Sequence, residues 1–412
     1  MPEPRFRVLA VAARPVQYAS PIFRRMALHS QLDFHVAYCT LHGAEAALDP
    51  EFGTSVRWDV PLLEGYKWTH VPNKGSQSEG FFGLYNPGLW CLIREGKFDA
   101  VFCYTGYIRA SFWIAYLASK LSGSAFLFGG DTVSLTPLDR RMWKRPLKRA
   151  MWPFLFRLAD QVIVPSTGTH DLMRSLGIPE DRITLTPYAV DNDWWKAQSA
   201  AVDRTATRAS WGVGPETAVV LFCAKLQPWK RPIDLLQAFA QAQPLDAFLV
   251  FAGDGPLREQ LQTQATSLGI AHLVRFLGFV NQSALPSVYT ASDLMVLPSE
   301  YDAFGVVVNE AMLCGCAVAA SDHVGAARDL IAPVTPGLVY PAGDVAALSS
   351  LLRRLLTDSV ELAESRQAAQ RRMETWSPRE NITGAVQAIE KAVARLRHHT
   401  LPGGESPLRT ND

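Results

Sequence analysis

Residues 298–317 read Pro298-Ser-Glu-Tyr-Asp-Ala-Phe-Gly-Val-Val-Val-Asn-Glu-Ala-Met-Leu-Cys-Gly-Cys-Ala317. They follow an apolar run that ends at Leu297, so the pattern predicts a buried strand, a glycine-bearing loop and a helix that opens near Gly305. The free backbone N–H groups at such a helix start suit a phosphate group. This order of strand, loop and helix is typical of an α/β sheet with a ligand at its edge.

Two acids stand out in the same stretch. Asp302 precedes the predicted helix and Glu310 lies inside it. Two such carboxylates cannot both be buried at neutral pH without partners, and sugar hydroxyls are partners that a carboxylate accepts in a defined geometry. The alternative interpretation is a helix-capping Asp302 and an ordinary helical Glu310.

The same alternation of strand and helix continues along the chain in both directions. Brief apolar runs such as Ala100–Tyr104 and Ala247–Ala252 are continuous rather than alternating, as in parallel strands covered on both faces. The pattern breaks around Tyr188–Ala201 and restarts with a strand at Ala218. We therefore predict an α/β protein with two Rossmann-like parallel-sheet domains that face a central cleft. The predicted domains are residues 1–190, residues 191–375, a terminal helix at 376–398 that crosses back to the first domain, and a disordered tail at 399–412.

Composition excludes several classes of protein. The chain has 412 residues, of which 48% are hydrophobic, so it is not an intrinsically disordered chain. Its 40 Lys and Arg almost balance 39 Asp and Glu, which argues against a nucleic-acid-binding protein. The six cysteines form no CxxC pair, and they indicate a reducing compartment. The first apolar run, Val8–Ala13, has the length of a strand rather than of a signal peptide. We expect a cytoplasmic protein.

Three further stretches suggest ligand contacts after predicted strands. The stretch Leu221–Leu236 places Lys225, Lys230 and Arg231 between a strand and a helix, where cations can neutralise a diphosphate. A solvated basic turn is the alternative. Phe251-Ala-Gly-Asp-Gly-Pro-Leu257 is a turn whose glycines permit either a close ligand or a tight bend. Phe276-Leu-Gly-Phe-Val280 ends a strand where backbone groups can hydrogen-bond a nucleobase.

Taken in order, these four stretches resemble the retaining glycosyltransferases of family 4, which have the GT-B fold. The resemblance covers most of residues 215–375 and includes Asp302-Ala-Phe-Gly-Val-Val-Val-Asn-Glu310 followed by Gly315-Cys-Ala-Val318. It implies transfer of a hexosyl group, with retention of configuration, from a nucleotide-diphosphate sugar to an acceptor hydroxyl of a glycan, a lipid-linked glycan or a small molecule. It implies no cofactor and no metal ion, and a UDP-sugar is the first donor to test.

The resemblance also implies roles for individual residues. Lys225 and Lys230 bind the donor diphosphate, Glu310 holds the ribose, and Asp302 holds sugar hydroxyls. Two positions depart from the family pattern, because Lys225 replaces a more common Arg and Asp302 replaces a Glu. The remaining implied donor contacts are Gly253, Phe279, Val280, Phe304, Gly305 and Val306.

The first half matches the family less well. Its first predicted strand is followed by Ala12-Ala-Arg-Pro-Val-Gln-Tyr-Ala-Ser-Pro21, which contains no Gly. Where many members carry a His, this chain reads Phe126-Leu-Phe-Gly-Gly-Asp131-Thr132. Asp131 is therefore the candidate polar group facing the reacting sugar, and the alternative is a loop that caps a helix.

Other functions remain as alternatives. A nucleotide-sugar epimerase or a phosphorylase on the same fold, or a non-catalytic sugar-binding protein, would use a similar cleft. A nicotinamide dehydrogenase is disfavoured because no GxGxxG follows the first predicted strand.

The segment 140–157 is basic and aromatic. It carries seven cations and no acid, interleaved with Trp143, Trp152, Phe154 and Phe156. A basic amphipathic helix of this kind can lie on anionic lipid. The alternative is a helix that packs its aromatic side chains into the first domain.

Overall fold

The computed structural model describes residues 6–45, 47–49, 54–76, 78, 80–136, 143–243 and 246–400. Its strands are β1 (Phe6–Ala12), β2 (Leu32–Tyr38), β3 (Ala47–Asp49), β4 (Thr54–Val56), β5 (Lys67–His70), β6 (Ala100–Cys103), β7 (Ala125–Gly129), β8 (Gln161–Val164), β9 (Ile183–Leu185), β10 (Ala218–Cys223), β11 (Ala247–Ala252), β12 (Val274–Gly278), β13 (Leu294–Leu297), β14 (Ala317–Ser321) and β15 (Val339–Tyr340). Its α-helices are α1 (Ala19–Leu28), α2 (Gly88–Gly96), α3 (Ala110–Ser122), α4 (Lys144–Arg157), α5 (Thr167–Ser175), α6 (Asn192–Ala200), α7 (Arg204–Ser210), α8 (Pro232–Ala242), α9 (Arg258–Ser267), α10 (Leu285–Ala291), α11 (Val307–Leu313), α12 (Val345–Thr357), α13 (Ser359–Arg372) and α14 (Pro378–Thr400).

The first sheet is parallel and lies between two layers of helices. Its strand order is β5-β2-β1-β6-β7-β8-β9. Side chains of β1 alternate between two cores, because Leu9 and Val11 belong to one apolar cluster and Val8 and Ala10 to another. This alternation explains why the strand reads as a continuous apolar run in the sequence.

The second sheet repeats this architecture with the parallel order β12-β11-β10-β13-β14-β15. A single large apolar cluster contains its strands and the helices that cover them. The chain crosses from β9 to β10 through α6 and α7. The fold is therefore the predicted α/β arrangement of two Rossmann-like parallel-sheet domains, which we call the first and second lobes.

The last helix returns to the first lobe. Ile382, Val386, Ile389 and Val393 of α14 share an apolar cluster with Val8 of β1. Residues 401–412 of the tail, for which the composition predicts disorder, lie outside the described residues.

No helix in the described part of the chain combines the length and the apolar character needed to cross a bilayer.

Candidate functional site

The candidate site lies where the strand order of the second sheet reverses. Strands β10 and β13 are neighbours, with Val220 opposite Leu294, and their helices lead away to opposite sides of the sheet. The loops after them are therefore adjacent, and Glu300 N–H donates to the Trp229 carbonyl over 2.8 Å. In open parallel sheets such a reversal leaves a crevice at the carboxyl ends of the strands.

Lys230 and Asp302 form an ion pair between these two loops. Lys230 Nζ donates to Asp302 Oδ2 over 2.5 Å, and the side chains are only 19% and 15% exposed. Lys225 lies half-buried in the same loop as Lys230, just after β10. The structure thus brings three of the four residues predicted as catalytic to one sheet edge. A partly buried pair of this kind keeps both charges satisfied in the absence of a ligand.

Glu310 is a buried acid in α11, with 4% of its surface exposed. Tyr289 Oη donates to its Oε2 over 2.9 Å, and Gln282 Nε2 approaches its Oε1 at 3.5 Å. Burial raises the pKa of Glu310 to about 7, and these two donors offset part of that rise. The carboxyl group is therefore poised to change charge near neutral pH. Tyr289 is a site residue that the sequence reasoning missed.

The loop 304–306, just before α11, is a tight turn whose residues are buried or half-buried. Gly305 has a φ of +88°, and a Cβ there would lie 3.0 Å from Leu297 and 3.2 Å from Val324. The Phe304 ring is buried and stacks on Trp376 with 6.1 Å between ring centroids. Val306 is half-buried just before α11. The contact of this loop with the donor, through its peptide groups, stays a prediction.

Gly253 is explained by packing within the second lobe. A Cβ at this position would lie 2.0 Å from the Ala224 carbonyl oxygen, and Gly253 N–H donates to the Gly278 carbonyl over 2.8 Å. The glycine therefore lets the ends of β10, β11 and β12 meet. Its donor contact stays a prediction.

Phe279 and Val280 follow β12 and are half-buried, as required of residues that flank a base. Across the cleft, Trp58 of the first lobe lies 6.3 Å from Phe279 between ring centroids. Asp59 accepts a hydrogen bond from Ser283 N–H over 3.0 Å. The predicted base position is thus closed by a first-lobe loop that the sequence reasoning did not identify.

Asp131 lies in the first lobe, directly after β7 and Gly130, and faces a cavity at the carboxyl edge of the sheet. Tyr188 Oη donates to Asp131 Oδ2 over 3.4 Å. Tyr188 also contacts Phe304 of the donor loop, with 5.2 Å between ring centroids. Asp131 is therefore connected to the second-lobe loop through one aromatic side chain.

The described residues contain no group of three or more His, Cys, Asp or Glu side chains that could hold a metal ion.

Comparisons with known proteins agree with this architecture. Residues 203–373 match the family model described as "Glycosyl transferases group 1", and residues 3–189 match "Glycosyl transferase 4-like domain". The structure of Anabaena HepE in complex with UDP and glucose superposes with a TM-score of 0.70 at 19% identity, over 94% of this chain and 100% of that chain.

Two relatives share more of the sequence. The 2-deoxystreptamine N-acetyl-D-glucosaminyltransferase of Streptomyces fradiae is 42% identical over 70% of this chain and 72% of its own length. The D-inositol 3-phosphate glycosyltransferase of Xylanimonas cellulosilytica is 32% identical over 76% of this chain and 79% of its own length. Matches to two further relatives span only 58% and 57% of those proteins. The resemblance predicted from the sequence motifs is thus confirmed, and the chain belongs to family 4 of the glycosyltransferases, with the GT-B fold.

Proposed function

We propose that this enzyme transfers a hexosyl group from a nucleotide-diphosphate sugar to an acceptor hydroxyl with retention of anomeric configuration. The observation that carries the proposal is the occurrence of a buried acid, Glu310, and the Lys230–Asp302 ion pair on the segments that follow the neighbouring strands β10 and β13. In this arrangement Glu310 accepts the ribose hydroxyls, Lys225 and Lys230 face the diphosphate, and Asp302 accepts hydroxyls of the sugar.

A UDP-sugar is the proposed donor. The solved structure of HepE holds UDP and glucose within the same fold, which supports this choice without deciding it. Phe279 and Val280 flank the base, and Trp58 lies beyond Phe279. Because Lys225 and Lys230 supply positive charge to the diphosphate, we propose that the reaction needs no metal ion and no cofactor.

Transfer breaks the bond between the anomeric carbon and the diphosphate oxygen and forms a bond to the acceptor oxygen. Lys225, Lys230 and the peptide groups of 304–306 stabilise the negative charge that develops on the departing diphosphate. The acceptor approaches from the first lobe, where Asp131 lies, and its proton passes to the departing phosphate oxygen. Contact between the lobes excludes water that would otherwise hydrolyse the donor.

The proposed acceptor is a ring polyol. One relative is named for transfer to 2-deoxystreptamine and another for transfer to D-inositol 3-phosphate. Both of these acceptors are cyclitols, which favours a small soluble ring over a long glycan.

A donor screen tests the proposal. We expect one of UDP-glucose, UDP-N-acetylglucosamine, GDP-mannose or ADP-glucose, at a hundred times its dissociation constant, to stabilise the enzyme by about 2.7 kcal/mol. For a lobe of this size, that free energy raises Tm by roughly 5 to 10 °C. The anomeric signal of the product, followed by NMR, is expected to match that of the donor. An absence of any donor shift, or an inverted product, contradicts the proposal.

The same samples distinguish the alternative enzymes. An epimerase converts the donor without any acceptor, and a phosphorylase requires inorganic phosphate. A non-catalytic protein binds the donor without turnover. We expect donor incubated alone to remain intact apart from slow hydrolysis.

We also propose that helix α4 contacts anionic membrane. The structure divides its aromatic residues, since Trp152 and Phe156 are buried in the first lobe whereas Trp143 and Phe154 are 63% and 72% exposed. Residues 140–142 of the predicted basic segment lie outside the described residues.

We call the exposed side chains that share one helical face the α4 stripe: Trp143, Leu147, Met151 and Phe154. The same helix carries four cations between the residues of the stripe: Lys144, Arg145, Lys148 and Arg149. Each cation near an anionic membrane surface contributes about 1 kcal/mol to the free energy of binding.

Vesicle co-sedimentation tests this contact. We expect the enzyme to bind vesicles of phosphatidylcholine with phosphatidylserine at low salt, and to be released at high salt because the attraction is electrostatic. Removing the two exposed rings with Trp143→Ser and Phe154→Ser is expected to weaken binding ~10-fold or more. The matched control is Trp90→Ser, an exposed ring on α2. No binding to anionic vesicles at low salt contradicts the proposal.

A further inference from the structure

A cavity of about 380 Å³ opens in the first lobe at the carboxyl ends of β6, β7, β8 and β9. This volume is typical of a site for a small molecule. Its position also places it beside the donor loop, because Tyr188 in its lining contacts Phe304 of the second lobe, with 5.2 Å between ring centroids. Phe304 belongs to the loop that also carries Asp302. A molecule in the cavity therefore lies beside the proposed donor sugar.

The walls of the cavity are rigid aromatic rings. Trp152 Nε1 donates to Tyr107 Oη over 3.0 Å, and the two rings meet edge to face. Phe128 and Phe156 stack with 5.4 Å between ring centroids. Since the Trp152 N–H already has a partner within the wall, these rings present mainly their faces and edges to a ligand. Such surfaces suit the C–H faces of a saturated ring and the charge of an ammonium group.

The polar side chains that line the cavity carry hydroxyls, one thiol, one amide and one carboxylate. Thr105, Thr132 and Thr186 supply hydroxyls, Asn381 supplies the amide, and Asp131 is the acid. None of the described residues that line the cavity is a Lys, an Arg or a His. Among the described lining residues, Asp131 therefore supplies the charge.

Lys148 lies close to this lining without belonging to it, since its Nζ is 5.1 Å from the centroid of the Trp152 ring. The negative charge of Asp131 nevertheless acts on three tyrosine hydroxyls of the cleft. Burial is the main cause of the raised pKa values of Tyr18, Tyr188 and Tyr301, and the Asp131 charge adds to each of them.

We propose that this cavity binds the acceptor and that the acceptor is a small polyhydroxylated ring bearing a protonated amine. The inference rests on the proposed function and names the substrate class of the same site. The ammonium group pairs with Asp131, the ring stacks on the aromatic walls, and the threonine hydroxyls bond the acceptor hydroxyls. A phosphorylated ring is disfavoured because its charge would meet the Asp131 carboxylate, and the described part of the lining offers it no cation.

A series of three ligands that differ in one substituent tests the class. The probes are scyllo-inositol, scyllo-inosamine and scyllo-inositol monophosphate, which are neutral, cationic and anionic. Their affinities for the full-length enzyme are measured calorimetrically at pH 7, with and without UDP. The amine can form a charge-assisted hydrogen bond with the Asp131 carboxylate, which the neutral ring cannot. We therefore expect the amine to bind ~10-fold to 100-fold more tightly than the neutral ring, and the phosphate to bind more weakly than the neutral ring.

The variant Asp131→Asn keeps the shape of the side chain and removes its charge. We expect the preference for the amine over the neutral ring to fall ~10-fold or more, with little change in affinity for the neutral ring. Glu95→Gln, which removes an exposed charge from α2, is the matched control. A preference that survives Asp131→Asn, or tighter binding of the phosphate than of the amine, overturns the inference.

The UDP titration separates the two proposals. If UDP binds and the three probes show no preference for the amine, the acceptor class is wrong and the donor assignment stands. If the amine is preferred and UDP does not bind, the donor proposal fails and the cation-binding cavity remains.

Discussion

Glu310→Gln is expected to lower the affinity of the enzyme for UDP about 100-fold, because two hydrogen bonds from the ribose to a carboxylate are weakened. Glutamine keeps the size of the side chain, so Tyr289 Oη, which donates to Glu310 over 2.9 Å, still has an oxygen to bond. The replacement amide also presents an N–H pair to ribose hydroxyls that need an acceptor. Calorimetric titration with UDP measures the change.

A matched control isolates this effect. Glu364 lies exposed on α13, far along the chain from the cleft loops, and Glu364→Gln removes the same charge. We expect its UDP affinity to equal that of the unmodified enzyme. Glu310→Ala is expected to lose at least as much affinity as Glu310→Gln, since it also leaves the Tyr289 hydroxyl with only Cys223 Sγ, at 3.2 Å, as a weak acceptor. UDP binding that is unchanged in both Glu310 variants contradicts the assignment of Glu310 to the ribose.

The same carboxyl group predicts a pH dependence of UDP binding. Burial raises the pKa of Glu310 to about 7 in the unliganded enzyme. The titratable groups that contact or face it are Tyr289, Cys223 and Cys314. Only the ionised carboxylate accepts two ribose hydroxyls, so UDP affinity is expected to fall below pH 7 by up to ~10-fold for each pH unit. The Glu310→Gln variant lacks this dependence.

The stability of the unliganded enzyme is expected to move in the opposite direction. The ordinary pKa of a Glu is 4.5, so the unfolded chain releases this proton at lower pH than the folded enzyme does. The contribution of Glu310 to stability therefore decreases as pH rises from about 4.5 to about 7, by on the order of 3 kcal/mol. Comparing the pH profile of denaturant unfolding with that of Glu310→Gln reports this difference.

The core of each sheet was predictable because its strands are continuous apolar runs. Ala247–Ala252 has the same bounds in the structure as in the sequence pattern, and the run Ala100–Tyr104 forms a strand that ends one residue earlier, at Cys103. The edge strand β5, Lys67–His70, was not predicted, since its side chains are mostly exposed and show no apolar run. The helix expected to open near Gly305 begins at Val307, because the left-handed backbone at Gly305 continues the loop.

For the candidate site too, residues in a recognisable local pattern were predicted and residues outside such a pattern were not. Lys230, Asp302 and Glu310 were identifiable because each lies in a motif next to its strand. Trp58 was not identifiable, because its position beside Phe279 depends on how the two lobes meet rather than on its neighbours in sequence. Tyr289 and Glu310 likewise come together from different helices, α10 and α11. Local patterns predict residues that follow a strand, whereas contacts between elements require the fold.

The aromatic residues of α4 are divided between buried and exposed positions, so packing on the first lobe leaves part of the predicted membrane-contact surface free to be tested. Burial of Trp152 and Phe156 agrees with a helix packed on the first lobe, and exposure of Trp143 and Phe154 agrees with a surface contact. Composition alone did not separate the buried rings from the exposed rings, because the two groups of rings lie on different faces of one helix.

Lys230→Ala is expected to lower kcat about 100-fold to 1000-fold, because a group that stabilises charge on the departing diphosphate is lost. In the unliganded enzyme, Lys230 is held by Asp302 over 2.5 Å. When a donor enters, its diphosphate and its sugar hydroxyls offer each of these charges a new partner. The lysine then acts most strongly as negative charge accumulates on the leaving group, so the loss falls mainly on kcat and less on KM.

The conservative variant Lys230→Arg shows whether charge alone is sufficient. Arginine keeps the positive charge but carries it on a longer, planar group, so partial recovery of kcat is expected. Lys391→Ala, an exposed site on α14, is the control and should retain full activity. If Lys230 acts only by holding Asp302 in place, Asp302→Asn combined with Lys230→Ala should be no slower than Asp302→Asn alone. A further loss in the double variant therefore assigns Lys230 to the diphosphate itself, and steady-state kinetics with saturating acceptor distinguish the two results.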